Sequence, residues 1–275
     1  MRQDVFGFPL DVQAWQDFGF IANYGTPVRV QARPEDGMVC FYVEGPRYGR
    51  LLIRFAGAAL TGGLYPPAAC QRLRDAMPAY ERLYPHPALI KLQGHGPAAG
   101  GYAAIFRWPE GIDLGTAEAQ RQLQRQPLLS SLRMIDSVFD FHLFAAQAGY
   151  VPVAFQNSCL TADFASGRVT VRSIDRYRLK PAVNDLGRMP GAAQFMSPEE
   201  YAPGAPLDDL TAQYALGALA FFFFGAYASR ERAAWMAGEA LYRVALRACS
   251  EQREARYPTL AEFVADWRRA AGQTV

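Results

Sequence analysis

A chain of 275 residues that is 51% hydrophobic and 20% charged is long enough for one large domain or two modest lobes with real cores, and its composition excludes a disordered or fibrous protein. Its 28 Lys and Arg against 26 Asp and Glu leave a balance too even to call for a nucleic-acid or acidic-membrane partner. The four cysteines, Cys40, Cys70, Cys159 and Cys249, are far apart and lack the paired spacing of a metal site; they read as free thiols in a reducing, cytoplasmic compartment.

The opening MRQDVFGFPLDVQAW has no long apolar run of the secretory kind. From Pro27 to Ala58 three strand-like runs, VRVQA, VCFYVE and LLIRFAGA, are separated by the turn Pro34-Glu35-Asp36-Gly37 and by a Gly-Pro-Arg-Tyr-Gly bend. That pattern predicts an antiparallel meander. Pro66-Pro67 opens a helical pattern in which Leu73, Met77 and Tyr80 share a face, and which Pro78 should kink or end. Ala88 to Leu92 and Gly101 to Trp108 read as two more short strands. With Pro109-Glu110-Gly111 as linker, residues 1–108 form a small β-rich unit with one main helix, and 109–275 form a second, mostly helical unit.

In that second unit Ala117 to Gln124 and Leu128 to Ala148 read as helices, the latter long, amphipathic and closed by Gly149. The stretch GYVPVAFQNSCLTADF, residues 149–164, alternates at Val151, Val153 and Phe155, turns on Gln156-Asn157-Ser158 and resumes at Leu160, which predicts a β-hairpin. Its tip carries amide, hydroxyl and thiol groups but no acid or histidine. A short strand follows from Val169 to Ile174. Ser197-Pro198-Glu199-Glu200 and Thr259-Leu260-Ala261-Glu262 are capping boxes that start helices. Tyr214 to Ala228 is uncharged and apolar all round but shorter than the ~20 residues of a membrane span, so it reads as a central, fully covered helix.

The order of these elements resembles the eukaryotic-type (Ser/Thr) protein kinase fold, and in particular a divergent bacterial kinase-like branch with a Gly-Tyr-Val catalytic segment. The most specific matches are Asn184-Asp185-Leu186-Gly187-Arg188 leading to Phe195-Met196-Ser197-Pro198-Glu199-Glu200, Tyr214-Ala215-Leu216-Gly217, and Arg256-Tyr257-Pro258-Thr259-Leu260-Ala261-Glu262-Phe263. The resemblance covers nearly the whole chain. It implies an α+β, bilobal architecture: a small antiparallel β-rich N-lobe with one main helix, and a larger, mostly helical C-lobe. It also implies an ion pair between Glu199 and the late Arg256, against the alternative that Glu199 only caps its own helix.

Phosphoryl transfer depends on positioning and charge neutralisation, and the parts the resemblance calls for are mostly replaced. Arg54 stands at the strand-lysine position, where a planar guanidinium keeps the charge without the compact ammonium contact; the other reading of Arg54 is an exposed strand arginine. The helix glutamate falls near Ala76 or Met77, with Asp75 and Glu81 as displaced substitutes. The phosphate-covering turn is Arg33-Pro34-Glu35-Asp36-Gly37, with one glycine and two carboxylates. Ala154 takes the place of the catalytic aspartate, and Cys159 that of the magnesium-binding asparagine, a soft ligand for a cation that prefers oxygen. Asn157 lies two positions early, and the segment has no acid before Asp163. Asp175 matches the main magnesium ligand, with Arg176-Tyr177 in place of Phe-Gly, or bonds to Arg54 or a nearby amide. Phe106 and Trp108 fall at the adenine-side hinge, where they fill the pocket or stack on a base.

The three histidines add little: His86-Pro87 resembles a structural pair of the family, His142 reads as a satisfied core residue and His95 as a loop residue. The combined reading is a pseudokinase acting as a regulatory or protein-binding module. The alternative is an active atypical Ser/Thr kinase, or a nucleotidyl- or phosphotransferase, using Arg54, Asp175 and either Asn157 or Asp163. Nucleotide contacts would then come from Arg54, Phe106, Trp108 and Asp175, and metal contacts from Asp175 and Asn157. ATP with magnesium is the one cofactor the resemblance leaves open; the expected partner is a protein, with no nucleic acid and no membrane.

Overall fold

The computed structural model describes residues 1–225 and 229–272. Two compact units emerge, one of residues 1–84 and 90–109, the other of residues 85–89 and 110–275.

The first unit begins with a hairpin of β1 (Arg2–Val5) and β2 (Phe8–Asp11). Its two-residue turn places Phe6 and Gly7 in the left-handed region, at φ 56° and 84°, the geometry of a primed hairpin turn. Four-residue strands interrupted by Pro9 carry too little pattern to be read from sequence. The meander follows as β3 (Thr26–Arg33), β4 (Met38–Gly45) and β5 (Gly49–Ala56). Val39, Phe41 and Val43 of β4 and Ile53 and Phe55 of β5 project from one face into a core shared with Val5, Leu10 and Phe18. The alternate residues, Cys40, Tyr42, Leu52 and Arg54, therefore occupy the other face.

Helix α1 (Pro66–Leu83) continues through Pro78. The expected break does not occur: buried Leu73, Met77, Tyr80 and Leu83 anchor the turns on both sides of the proline, and that burial outweighs the lost hydrogen bond. The sheet is completed by β6 (Leu92–Ala98) and β7 (Gly101–Arg107), in the order β3-β4-β5-β7-β6. The strand expected at Ala88 to Leu92 is thus displaced. Residues 85–89 belong to the second unit, where Ala88 O accepts from Val171 N (2.7 Å) and Leu89 bridges Val171. The true edge strand contains Gly94, Gly96 and Pro97, a composition that hides it from propensity.

The second unit contains β8 (Ile112–Asp113), α2 (Ala117–Gln124), α3 (Leu128–Gln147), β9 (Tyr150–Val151), β10 (Leu160–Asp163), β11 (Arg168–Val171), β12 (Arg178–Leu179), β13 (Ala182–Val183), β14 (Pro206–Leu207), α4 (Asp209–Phe224), α5 (Glu239–Ala248) and α6 (Leu260–Gly272). The predicted hairpin at 149–164 is not formed. β9 pairs with β12, while β10 pairs with β8 and β11, so the two halves of the motif belong to different ladders. Alternation marks extended backbone but not its partner.

Asp208 caps α4, accepting from Leu210 N at 2.9 Å, and every residue from Thr211 to Phe224 is buried. Gly217 allows α4 and α5 to approach, because a Cβ there would lie 2.7 Å from Cys249 Sγ and 2.9 Å from Ala248 Cβ. The last three residues of the expected helix, 226–228, lie outside the described residues. Among the described residues no helix is long and apolar enough to cross a membrane.

Candidate functional site

In the first unit Arg54 sits mid-strand on β5, opposite Cys40 of β4 and Ala104 of β7. It is 5% exposed, so the exposed-strand reading fails. Its Nη1 donates to the Tyr80 hydroxyl at 3.0 Å, and its guanidinium lies 4.8 Å from the centroid of Phe106. Tyr80 in turn packs on Phe106 at 5.0 Å. The phenol of α1 thus stands beside this strand cation. Ala76 and Met77 are buried and apolar, exposed Asp75 accepts from Gln71 at 2.6 Å, and Glu81 bonds His95 at 2.9 Å.

Phe106, fully buried, and Trp108 are both committed to packing. Trp108 meets the Tyr42 ring edge-on at 4.9 Å and is covered by the Arg50 guanidinium at 4.1 Å. Arg29 stacks on Tyr42 at 4.2 Å. These contacts form a continuous aromatic and guanidinium layer on the sheet face. The turn after β3 is closed as well: Gly37 N and Leu64 N both donate to Pro34 O (2.9 and 3.0 Å). Arg72 of α1 bonds the Asp36 carbonyl and reaches its carboxylate at 3.5 Å. Gly37, at φ 63°, is pressed against α1, where a Cβ would lie 2.8 Å from Ala69 Cβ.

In the second unit Ala154 adopts φ 55°, a left-handed conformation uncommon outside glycine. The polar residues that follow are engaged in holding the loop. Asn157, buried, donates from Nδ2 to Leu114 O at 3.0 Å, Gln156 Oε1 accepts from Ala192 N at 2.8 Å, and Cys159 Sγ approaches Ala154 O at 3.7 Å. Arg172 ties the far side, donating to Ser158 O at 3.0 Å and to Asp113 Oδ2 at 2.5 Å. Asp163 caps the β10–β11 turn, accepting from Ala165 N at 3.1 Å. Hydrogen bonding to Ser166 holds its carboxyl below the usual range.

Asp175 accepts from Ser173 Oγ at 3.0 Å. Two residues on, the Tyr177 hydroxyl meets His142 Nε2 at 2.7 Å, while His142 Nδ1 meets Val138 O at 2.7 Å. A carbonyl only accepts, so Nδ1 carries the proton and Tyr177 donates to Nε2. Burial pushes the His142 pKa down to about 4, which keeps the ring neutral, and Phe155 packs edge-on against it at 4.4 Å. His86, by contrast, bonds Asp140 at 3.3 Å and Ala88 N at 3.2 Å.

Glu199 and Arg256 meet, 57 residues apart in sequence, in a bidentate pair of 2.7 and 3.1 Å. A second guanidinium, Arg253, reaches the same oxygen at 2.7 Å, as does the Thr211 hydroxyl at 3.1 Å. Burial opposes the charge on Glu199, but the Arg256 hydrogen bonds and field outweigh it and hold the carboxyl below its usual range. Neighbouring Glu200 closes the capping box, accepting from Ser197 N at 2.7 Å and Ser197 Oγ at 3.0 Å. Sequence reasoning gives none of Arg253, Tyr80 and Glu200 a place in the site: it reads Tyr80 only as part of the apolar face of α1 and Glu200 only as the acid of a capping box, and Arg253 leaves no local signal.

A β-sheet unit with one principal helix, followed by a helical unit built on a buried central helix and a Glu199–Arg256 pair, is the protein-kinase-like fold. Solved structures bear this out. Among them is the Mycobacterium tuberculosis PknI kinase domain, 20% identical over 90% of this chain and 96% of that one, with a TM-score of 0.61. Another is the PpkA-294 apo form, 16% identical over 88% of this chain and 95% of that one, with a TM-score of 0.65. At such identities the likeness establishes the fold. No family model and no curated protein matches the sequence.

Proposed function

We propose that this protein is a pseudokinase: a kinase-fold module that regulates by binding a protein partner and does not transfer phosphate. The observation that carries this reading is Ala154, a methyl group in a left-handed turn, at the position that the sequence resemblance gives to the catalytic aspartate. A methyl group cannot accept a proton or orient an acceptor hydroxyl.

The residues of each unit also fit ATP and magnesium poorly. Among the described residues no three His, Cys, Asp or Glu side chains group into a metal site. Asn157 spends its amide on Leu114 O, and Cys159 offers sulfur where magnesium takes oxygen. On the sheet side, Trp108 packs against Tyr42 and Arg50, and Phe106 against Tyr80 and Arg54. In the turn at 34–37 Gly37 N is spent on Pro34 O, and the turn carries two carboxylates. No catalytic step is assigned through either cofactor.

The test is thermal unfolding with ATP and either magnesium or manganese. A ligand at about 100 times its dissociation constant would stabilise the fold by ~2.7 kcal/mol, roughly 5–10 °C for a chain of this size. The expected shift is none. A metal-dependent shift abolished by Asp175→Ala would overturn the reading in favour of an atypical transferase, as would phosphotransfer by the wild type; phosphotransfer appearing only in Ala154→Asp would show that the rest of the site is in place and that Ala154 is what silences it.

A further inference from the structure

Helices α3 and α6 of the second unit border a cavity of about 320 Å³ that the proposed function does not use. A volume of that size lies within the range of small-molecule sites. The walls are mostly apolar, from Leu129 and Leu132 of α3 and Trp267 and Ala271 of α6, and the charged groups are Arg133, Asp136 and Arg268. The Trp267 ring is held by Phe139, edge-on at 5.3 Å, and by Phe224 at 6.0 Å. It is therefore not free to turn and fill the space.

Two donors in these walls lack an acceptor. Trp267 is 1% exposed, yet its indole N–H makes no hydrogen bond among the described residues. A buried indole N–H ordinarily finds a partner. Exposed Arg133 makes no hydrogen bond, ion pair or ring contact among the described residues either. The other two charged groups satisfy each other: Arg268 holds Asp136 through Nε at 2.7 Å and Nη2 at 3.2 Å, and reaches Asp140 at 3.0 Å. Among the described residues of the walls, Arg133 is thus the uncompensated charge, and the cavity presents a positive field over an apolar surface.

We propose that this cavity binds an apolar monocarboxylate: the hydrocarbon part lies against Leu129, Leu132 and Ala271, and the carboxylate accepts from the Trp267 indole N–H and the Arg133 guanidinium. The two oxygens of a carboxylate have acceptor sites for both donors, and the bond from arginine is charge-assisted. A cation would meet an unpaired guanidinium, and a plain hydrocarbon would leave both donors unmatched. Aliphatic and aromatic acids both carry this chemistry.

Titration with decanoate and with 1-naphthylacetate, followed by calorimetry and by the Trp267 indole N–H resonance, tests the site. The expected result is saturable binding of at least one acid with a dissociation constant below ~1 mM, and a Trp267 resonance that shifts with the same constant. The tighter of the two acids identifies the ligand as aliphatic or aromatic. Arg133→Gln changes an exposed side chain and should weaken binding roughly 10-fold. Decanol, which carries no charge, should bind the wild type no better than decanoate binds that variant. Ala271→Phe, which sets a ring into the cavity from the last turn of α6, should abolish binding. No saturable binding of either acid would overturn the proposal, as would binding that leaves the Trp267 resonance in place or that Arg133→Gln does not weaken. If Ala271→Phe does not fold, the Trp267 resonance and Arg133→Gln decide between these outcomes.

Discussion

Removing Arg256 tests the tertiary argument most directly. Its guanidinium makes two bonds to Glu199, at 2.7 and 3.1 Å, and donates to Ser250 O at 2.8 Å and Leu210 O at 3.0 Å. Both partners of the pair are almost fully buried, Arg256 at 2% and Glu199 at 4% exposure. Arg256→Ala deletes all four bonds and leaves a buried carboxylate with Arg253 and Thr211 as its remaining ligands. Breaking a buried pair from one side destabilises by about 3–5 kcal/mol; Arg253, which still reaches Glu199, places the expectation at the lower end, ~3 kcal/mol. Urea denaturation measures it, and the melting temperature should fall by roughly 6–12 °C. A double-mutant cycle with Glu199→Gln should return a coupling of at least ~1.5 kcal/mol. The pH profile adds a signature. Glu199 has its pKa lowered, so its contribution is present above about pH 4.5 and lost on acidification below it, and Arg256→Ala should flatten that acid limb. A loss under ~1 kcal/mol, with an unchanged acid limb, would refute the view that this pair joins the turn at 198–201 to the end of the chain.

Two further outcomes follow from packing and titration. Gly217→Ala places a methyl 2.7 Å from Cys249 Sγ and 2.9 Å from Ala248 Cβ, so the helix α4–α5 contact must open; a loss of about 1–3 kcal/mol in chemical denaturation is expected, and a neutral result would contradict the close approach. His142 is held neutral with a pKa of about 4, below its unfolded value, so the wild type loses stability as pH falls from about 6.5 towards 4. His142→Phe, which cannot titrate, should remove that slope.

Short-range chemistry made much of the fold legible. The capping residues at Thr259, the glycine closing α3, the meander turns and the apolar run of α4 are each decided by neighbours within a few residues, so their signals lie in the local order of the chain; the Ser197 box also forms, but it closes only the short turn at 198–201 and starts no α-helix. The same holds for Ala154: no fold can return a carboxylate to a position whose side chain is a methyl group. Long-range partners were another matter. Val151 and Val153 alternate whichever strand their segment pairs with, and only the packed second unit sets Tyr150 and Val151 opposite β12. Arg253 looks like any surface arginine until the turn at 198–201 is brought beside it, Tyr80 looks like any core aromatic until β5 sets Arg54 against its hydroxyl, and Pro78 looks like a break until burial of its neighbours outweighs the missing hydrogen bond. The sequence by itself determined which chemical groups this protein has and which elements carry them. Tertiary structure decided which groups are desolvated together, and desolvation shapes both the Glu199–Arg256 pair and the neutral state of His142.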